Sequence, residues 1–134
     1  MATVITQIPK DYRDLDLNFS IHPVRKDINK NVGPIAVINA IKNLILTNHY
    51  ERPFQPDLGS NIRRLLFENI DSIVANKIEQ EISQTIANFE PRAKVTKITT
   101  IPKYDDNAYQ VELEFFIINR TEPINIKFLL ERIR

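Results

Sequence analysis

Tyr109-Gln110-Val111-Glu112-Leu113-Glu114-Phe115-Phe116-Ile117-Ile118 is the stretch that decides the fold. Tyr109, Val111, Leu113, Phe115 and Ile117 alternate with Gln110, Glu112 and Glu114. This period of two belongs to a strand with one buried face. At Phe116 and Ile118 the far end turns apolar on both faces, so it calls for a second cover. Before it, Val95 to Ile101 reads as a strand, joined through Pro102 and the turn-forming Asp105-Asp106-Asn107. After it, Asn119-Arg120-Thr121-Glu122-Pro123 makes a loop. Ile124, Ile126, Phe128 and Leu130 then alternate opposite Asn125, Lys127 and Glu131. Three strands joined by short connections predict an antiparallel meander.

Toward the N-terminus the period changes at Phe89-Glu90-Pro91-Arg92, because Pro91 cannot continue a helix. Ile78, Ile82 and Ile86 recur every four residues beside Val74 and Ala75. They predict a helix from about Ile73 to Asn88, capped by Asp71 or Ser72, with Glu79, Gln80, Ser83 and Gln84 in water. Ser60 is placed to cap a short helix from Asn61 to about Asn69, carrying Ile62, Leu65 and Leu66 inward. Gly33-Pro34 opens another helix, with Ile35, Ile38, Ile41, Leu44 and Ile45 as its core stripe and Asn39, Lys42 and Asn43 turned away. It fails near Asn48-His49. Between the first two helices, Arg52-Pro53-Phe54-Gln55-Pro56-Asp57-Leu58-Gly59 is stiffened by its prolines into a turning loop. Leu15, Leu17, Phe19 and Ile21 alternate as a short strand or arm, and loop follows from His22. The expected class is α+β: three N-terminal helices packed on a C-terminal three-stranded antiparallel sheet. It forms one domain over residues 1–134, with an arm at 1–14, a helical part at 33–88 and a sheet part at 94–131.

The 134 residues are 43% apolar and 26% charged, the make-up of one globular core. Two glycines and no cysteine exclude Gly-rich phosphate cradles, thiolate catalysis, disulfides and Cys-ligated zinc. The 18 Lys plus Arg against 17 Asp plus Glu give a net charge of +1, too balanced for general nucleic-acid binding. Any electrostatic partner site must be local. The segment Met1 to Pro9 lacks the features of a secretory signal, and no apolar run approaches the ~20 residues of a membrane span. Both point to synthesis and folding in a cytoplasm.

Few residues carry catalytic chemistry. His22 and His49 fall in different loops without a neighbouring carboxylate cluster and read as surface histidines. Asp105-Asp106 reads as a hairpin turn, since glycoside hydrolysis needs two carboxyls about 5 to 9 Å apart across a cleft. Arg52, Arg63, Arg64 and Arg92 lie near Glu51, Glu68 and Glu90, which predicts local ion pairs. Glu90-Pro91-Arg92 is either a plain helix stop or a rigid elbow that holds two opposite charges for a partner. The strand containing Ile124, Ile126, Phe128 and Leu130 offers unpaired backbone groups if it lies at the sheet margin. A partner covers that edge, or the arm at residues 3–21 does.

Arg52-Pro53-Phe54-Gln55-Pro56-Asp57-Leu58-Gly59, continuing to Leu65-Leu66-Phe67-Glu68-Asn69, resembles the signature of the small baseplate wedge proteins of contractile phage tails. Phe89-Glu90-Pro91-Arg92 resembles the same family's Glu-Pro-Arg motif, at the end of the long helix. The resemblance covers about residues 15–131, and the Ile101-Pro102…Tyr104-Asp105-Asp106 turn is most similar to the T-even type. Related proteins occur in pyocin-type particles, injection systems and type VI secretion baseplates. The resemblance implies a structural protein of the virion tail baseplate, without catalytic residues, metal or cofactor, assembled in the host cytoplasm. Glu90, Pro91 and Arg92 would bind the helical core bundle of larger wedge subunits. The C-terminal sheet, through Ile124, Ile126, Phe128 and Leu130, would template the first ring of sheath protein. Tail tube or hub proteins are further partners it allows; nucleic acid and membrane are not. Arg52, Pro53, Phe54, Pro56, Gly59, Phe67 and Glu68 form a mainly architectural motif, the loop packing on its own domain. The runner-up is a peptidoglycan-cleaving, lysozyme-like tail enzyme using Glu and Asp side chains.

Overall fold

A computed structural model of the chain describes residues 12–132. Expectations for the first eleven residues lie outside the described residues. The elements run β1 (Arg13–Leu15), β2 (Lys30–Val32), α1 (Pro34–Leu46), α2 (Ile62–Leu66), α3 (Ser72–Phe89), β3 (Ala93–Lys103), β4 (Ala108–Ile117) and β5 (Ile124–Glu131). The α+β class, the three helices and the antiparallel order β3-β4-β5 agree with the sequence reading. The helices are not the first elements, however: a separate two-stranded sheet precedes them. Residues expected as loop after His22 supply its return strand, β2, paired antiparallel with β1.

Strand β4 is the central strand, and Tyr109, Val111, Leu113, Phe115 and Ile117 are all buried on one face. Ile78, Ile82 and Ile86 of α3 are completely buried within the same core. α3 is the helix that lies along the sheet, against β3, while α1 and α2 pack chiefly on α3. This differs from three helices sharing one sheet face: a twisted three-stranded sheet gives a long helix one good seat, and shorter helices find more apolar area beside it. Asp71 caps α3, its carboxylate accepting from the Ser72 N–H. The Asp71 N–H donates to the Tyr109 hydroxyl at 3.2 Å, tying the helix start to the central strand. Burial pushes the Tyr109 phenol above its ordinary pKa.

The α1 stripe agrees with the expected one at Ile41, Leu44 and Ile45, with Ile38 packed against the core, and departs from it at the first turn. There Ala36 and Val37 are buried, whereas Ile35 is 59% exposed. α2 is shorter than expected, and Ser60 does not cap it. The Ser60 side chain is buried, and its hydroxyl donates to the Ile45 carbonyl at 2.8 Å, bolting the loop end to α1. Glu79 is also not simply wet: its carboxylate accepts from the Thr100 N–H at 2.6 Å, on β3.

The proline-rich loop does not pack on its domain as expected. Residues 50–57 are exposed throughout, and Phe54 is 97% exposed. The loop closes on itself: the Tyr50 N–H donates to the Pro56 carbonyl at 2.8 Å, and the Ser60 N–H to Thr47 at 2.9 Å. Its base depends on Gly59, whose φ of +125° brings the backbone against α1's end. A Cβ there would lie 2.6 Å from the Thr47 carbonyl oxygen, which the Ser60 N–H holds in place. Gly59→Ala is therefore expected to lower unfolding free energy by about 2–4 kcal/mol in urea titration, and Phe54→Ala by no more than about 0.5 kcal/mol.

Candidate functional site

The elbow is built where α3 stops and β3 begins. Glu90, 5% exposed, is the C-terminal cap of α3 and its N–H still donates to Ile86. Pro91 ends the helix and remains exposed at the corner. Arg92 then turns back: its Nε donates to Glu90 Oε1 at 2.7 Å and its Nη2 to Glu90 Oε2 at 2.9 Å, a bidentate pair. The opposite nitrogen, Nη1, donates to both carboxylate oxygens of Asp14, at 3.2 and 3.3 Å. The Tyr12 ring stacks on the guanidinium, with Cζ 5.4 Å from its centroid. Hydrogen bonds to Glu90 hold the guanidinium protonated even more firmly than usual, with Asp14 adding to the effect and partial burial opposing it.

The expected ion pair of Glu90 with Arg92 is thus present, but it forms part of a larger clasp. Asp14 and Tyr12, which sequence reasoning missed, bring β1 onto the elbow. Nothing in their local pattern signals this, because the contact spans 78 positions of chain. The Ile118 N–H also donates to the Arg92 carbonyl at 2.9 Å, so the elbow is anchored beside the far end of β4. The other predicted local pairs differ. Glu68 pairs with Lys77 at 3.3 Å, not with Arg63 or Arg64, and Glu51 accepts from the Asn48 N–H. Phe67, half exposed, stacks with Arg132, its centroid 5.1 Å from Cζ. The architectural motif therefore divides: Gly59 closes a backbone contact, whereas Phe54 and Phe67 face outward.

The second candidate feature is the sheet margin. β5 pairs with β4 alone among the described residues, and β1 pairs with β2 instead of covering it. Ile126 and Leu130 are buried and Ile124 and Phe128 half-buried, all packed with the core. The alternate residues of β5, Asn125, Lys127 and Leu129, are exposed. The other margin, β3, is closed by the Glu79 carboxylate at Thr100 and by Pro102, which has no N–H to offer.

The groups with acid–base potential are engaged locally. His22 Nδ1 accepts from the Val24 and Arg25 N–H groups at 3.2 Å, and His49 Nδ1 meets the Asp57 carbonyl at 3.1 Å. Asp105 and Asp106 are exposed in the β3–β4 turn. Asp16 is held below the ordinary carboxylate range chiefly by Ser20, and Glu112 chiefly by Lys127. Both shifts are opposite to what a proton donor requires. No three His, Asp or Glu side chains among the described residues gather where they could hold a metal ion.

Against this geometry stand several likenesses. Residues 33–121 match the family model of the baseplate wedge protein gp25. The baseplate wedge protein gp25 of Enterobacteria phage T4 is 31% identical over 120 residues, covering 90% of each chain. Among solved structures, the 6-fold symmetrised anti-feeding prophage baseplate contains a similar chain at a TM-score of 0.65 and 17% identity, covering 92% of this chain and 88% of that one. A Geobacter sulfurreducens protein described as a tail lysozyme has a TM-score of 0.66 at 20% identity, covering 73% of this chain and 89% of its own. The postcontracted pyocin R2 baseplate contains another at 0.55 and 13%, covering 87% and 97% respectively.

The clasp makes a stability prediction. Arg92→Ala leaves Glu90 buried without its cation, which is expected to cost about 2–3 kcal/mol at pH 7, the partly exposed arginine reducing the penalty of a fully buried pair. Urea denaturation of the variant beside the wild type checks it.

Proposed function

The chain belongs to the baseplate wedge protein gp25 family, and from that membership we propose a non-enzymatic tail subunit that joins larger wedge proteins to the first sheath ring. It is assembled in the host cytoplasm and resides in the virion tail baseplate. The elbow Glu90-Pro91-Arg92 docks on the helical core bundle of the larger wedge subunits, with tube or hub proteins as further neighbours. Since the Arg92 donors are engaged within the chain, the elbow contributes an exposed Pro91 on a corner held rigid by Glu90 and Asp14. The sheet supplies the sheath contact through β5.

One observation carries this reading: the sheet has one margin blocked and one open. Glu79 and Pro102 close β3, while β5 carries a row of backbone groups without a neighbouring strand among the described residues. A partner strand added there gains register-specific hydrogen bonds, which suits a subunit that must set the position of a repeating sheath lattice. The non-enzymatic reading is supported by the downward-shifted Asp16 and Glu112 and by the solvent-exposed position of Asp105-Asp106. The likeness to a tail lysozyme, at 20% identity, concerns the fold alone.

Leu129 lies on the outer side of β5, opposite the buried Ile126 and Leu130 pattern, so Leu129→Lys charges the margin without opening the core. The variant is expected to retain its circular-dichroism melting curve and to enter wedges while tubes without sheath accumulate in electron micrographs. A folded variant that gives normally sheathed tails would remove β5 from the sheath contact. Clearing of peptidoglycan by the purified wild-type chain, abolished by a single carboxylate substitution, would overturn the non-enzymatic reading.

A further inference from the structure

The near-neutral chain carries a local charge asymmetry in the hairpin formed by residues 13–32. Of its three acids, Asp14 is spent on Arg92, Asp16 accepts from the Asn18 N–H and the Ser20 hydroxyl, and Asp27 accepts from the Ile28 N–H. The side chains of its four cations, Arg13, Arg25, Lys26 and Lys30, have no hydrogen-bond or ion-pair partner among the described residues. Its aliphatic side chains are equally uncommitted: Leu15, Leu17, Ile21, Val24 and Val32 are exposed.

Register places these groups together. Arg13 lies opposite Val32, and Leu15 opposite Lys30, so one face alternates cation and aliphatic across both strands. Asp14 and Asn31 take the other face, and Asp14 there meets the clasp. On the outer face Arg13, Lys30, Ile28 and Val32 join Arg25 around a recess of about 320 Å³ that His22, Asp27 and Asn29 also line, so the cations outnumber the one carboxylate there. The hairpin precedes residues 33–121, the segment that matches the family model.

We propose that this outer face is a docking site for an acidic, amphipathic segment of another baseplate protein, and that Arg92 acts as a positioning residue by holding the hairpin through Asp14. The inference rests on the baseplate reading above. A segment presenting carboxylates between apolar side chains complements a checkerboard of cations and aliphatics, with charge steering the encounter and aliphatics supplying desolvated contact. A lipid surface calls for segregated groups, apolar ones deep and cations shallow, and the hairpin interleaves them on one face. Nucleic acid offers phosphates but no aliphatic surface to cover the remaining residues, and stacking would have only Phe19 and the His22 imidazole, whose Nδ1 already accepts from the Val24 and Arg25 N–H groups.

The test compares free full-length chain with purified tails. Acetylation of the Lys26 and Lys30 amines is expected to fall about tenfold in the particle, as contact with a partner excludes reagent and water. Zero-length carbodiimide coupling is expected to join either lysine to an Asp or Glu of a different tail protein. The double variant Arg13→Glu with Lys30→Glu leaves the clasp intact; it is expected to melt like wild type and to enter baseplates about tenfold less well. Unchanged lysine reactivity in the particle, couplings confined to the same chain, protection that nuclease or detergent removes, or normal incorporation of the folded double variant would each overturn the docking site while leaving the baseplate reading intact. Absence of the wild-type chain from tails would overturn that underlying reading as well.

Discussion

The Arg92 guanidinium is the tie on which the arrangement of surfaces depends. It sits two residues past the end of α3, yet it binds the helix's final carboxylate on one side and a strand near the N-terminus on the other. A lysine could neutralise Glu90, but it could not present parallel donors to one carboxylate while an opposed nitrogen reaches a second. Without that fork, Glu90 would be a buried charge without its cation, and β1 would lose its polar anchor to the body. The Glu-Pro-Arg corner is therefore first a device for internal geometry. Whatever it presents outward, Pro91 and the hairpin included, inherits its orientation from this clasp.

The sheet adds a second constraint. Two margins of a three-stranded sheet are equivalent in principle, and an unprotected margin invites unwanted strand pairing. Here α3, seated along β3, places Glu79 where it takes up the Thr100 N–H, and Pro102 removes another donor. β5 carries the cross-strand pair of Lys127 with Glu112, at 2.8 Å, and no further strand lies beside it among the described residues. The chain thus engages one side with its own helix and leaves the other without a neighbouring strand among the described residues.

The charge balance has a spatial meaning as well. Several carboxylates are engaged by Arg92, by Lys77, by backbone N–H groups and by hydroxyls, whereas the cationic side chains of the hairpin are left in water. A total of +1 conceals this separation, because engaged acids count as fully as free ones. Stiff outward elements accompany it. The Pro53–Pro56 loop displays Phe54 on a closed turn whose base is fixed by Gly59, so little conformational freedom remains to be lost there on association.

Much of the fold was legible because it rests on local periodicity. Alternation from Tyr109 to Ile117 and the four-residue recurrence of Ile78, Ile82 and Ile86 each bury one face whatever the partner, and Pro91 stops a helix by its own ring. Those features determined the class, the order of helices and strands and the charged elbow, and two short motifs identified the family. The first turn of α1 was not legible, since which of Ile35 and Ala36 is buried depends on which side of that turn the neighbouring elements cover. Nor were the Ser60 bolt to Ile45, the Glu79 closure of β3 or the outward display of Phe54. The Asp14–Arg92 clasp was the least visible of all: a contact between residues 78 positions apart exists only after the chain has folded back. Short-range sterics and hydrophobic periodicity are properties of neighbouring residues and so can be read along the chain. Which charges are spent, which sheet margin stays open and which apolar residues face water depend on what the finished packing brings together, and only the tertiary structure decided them.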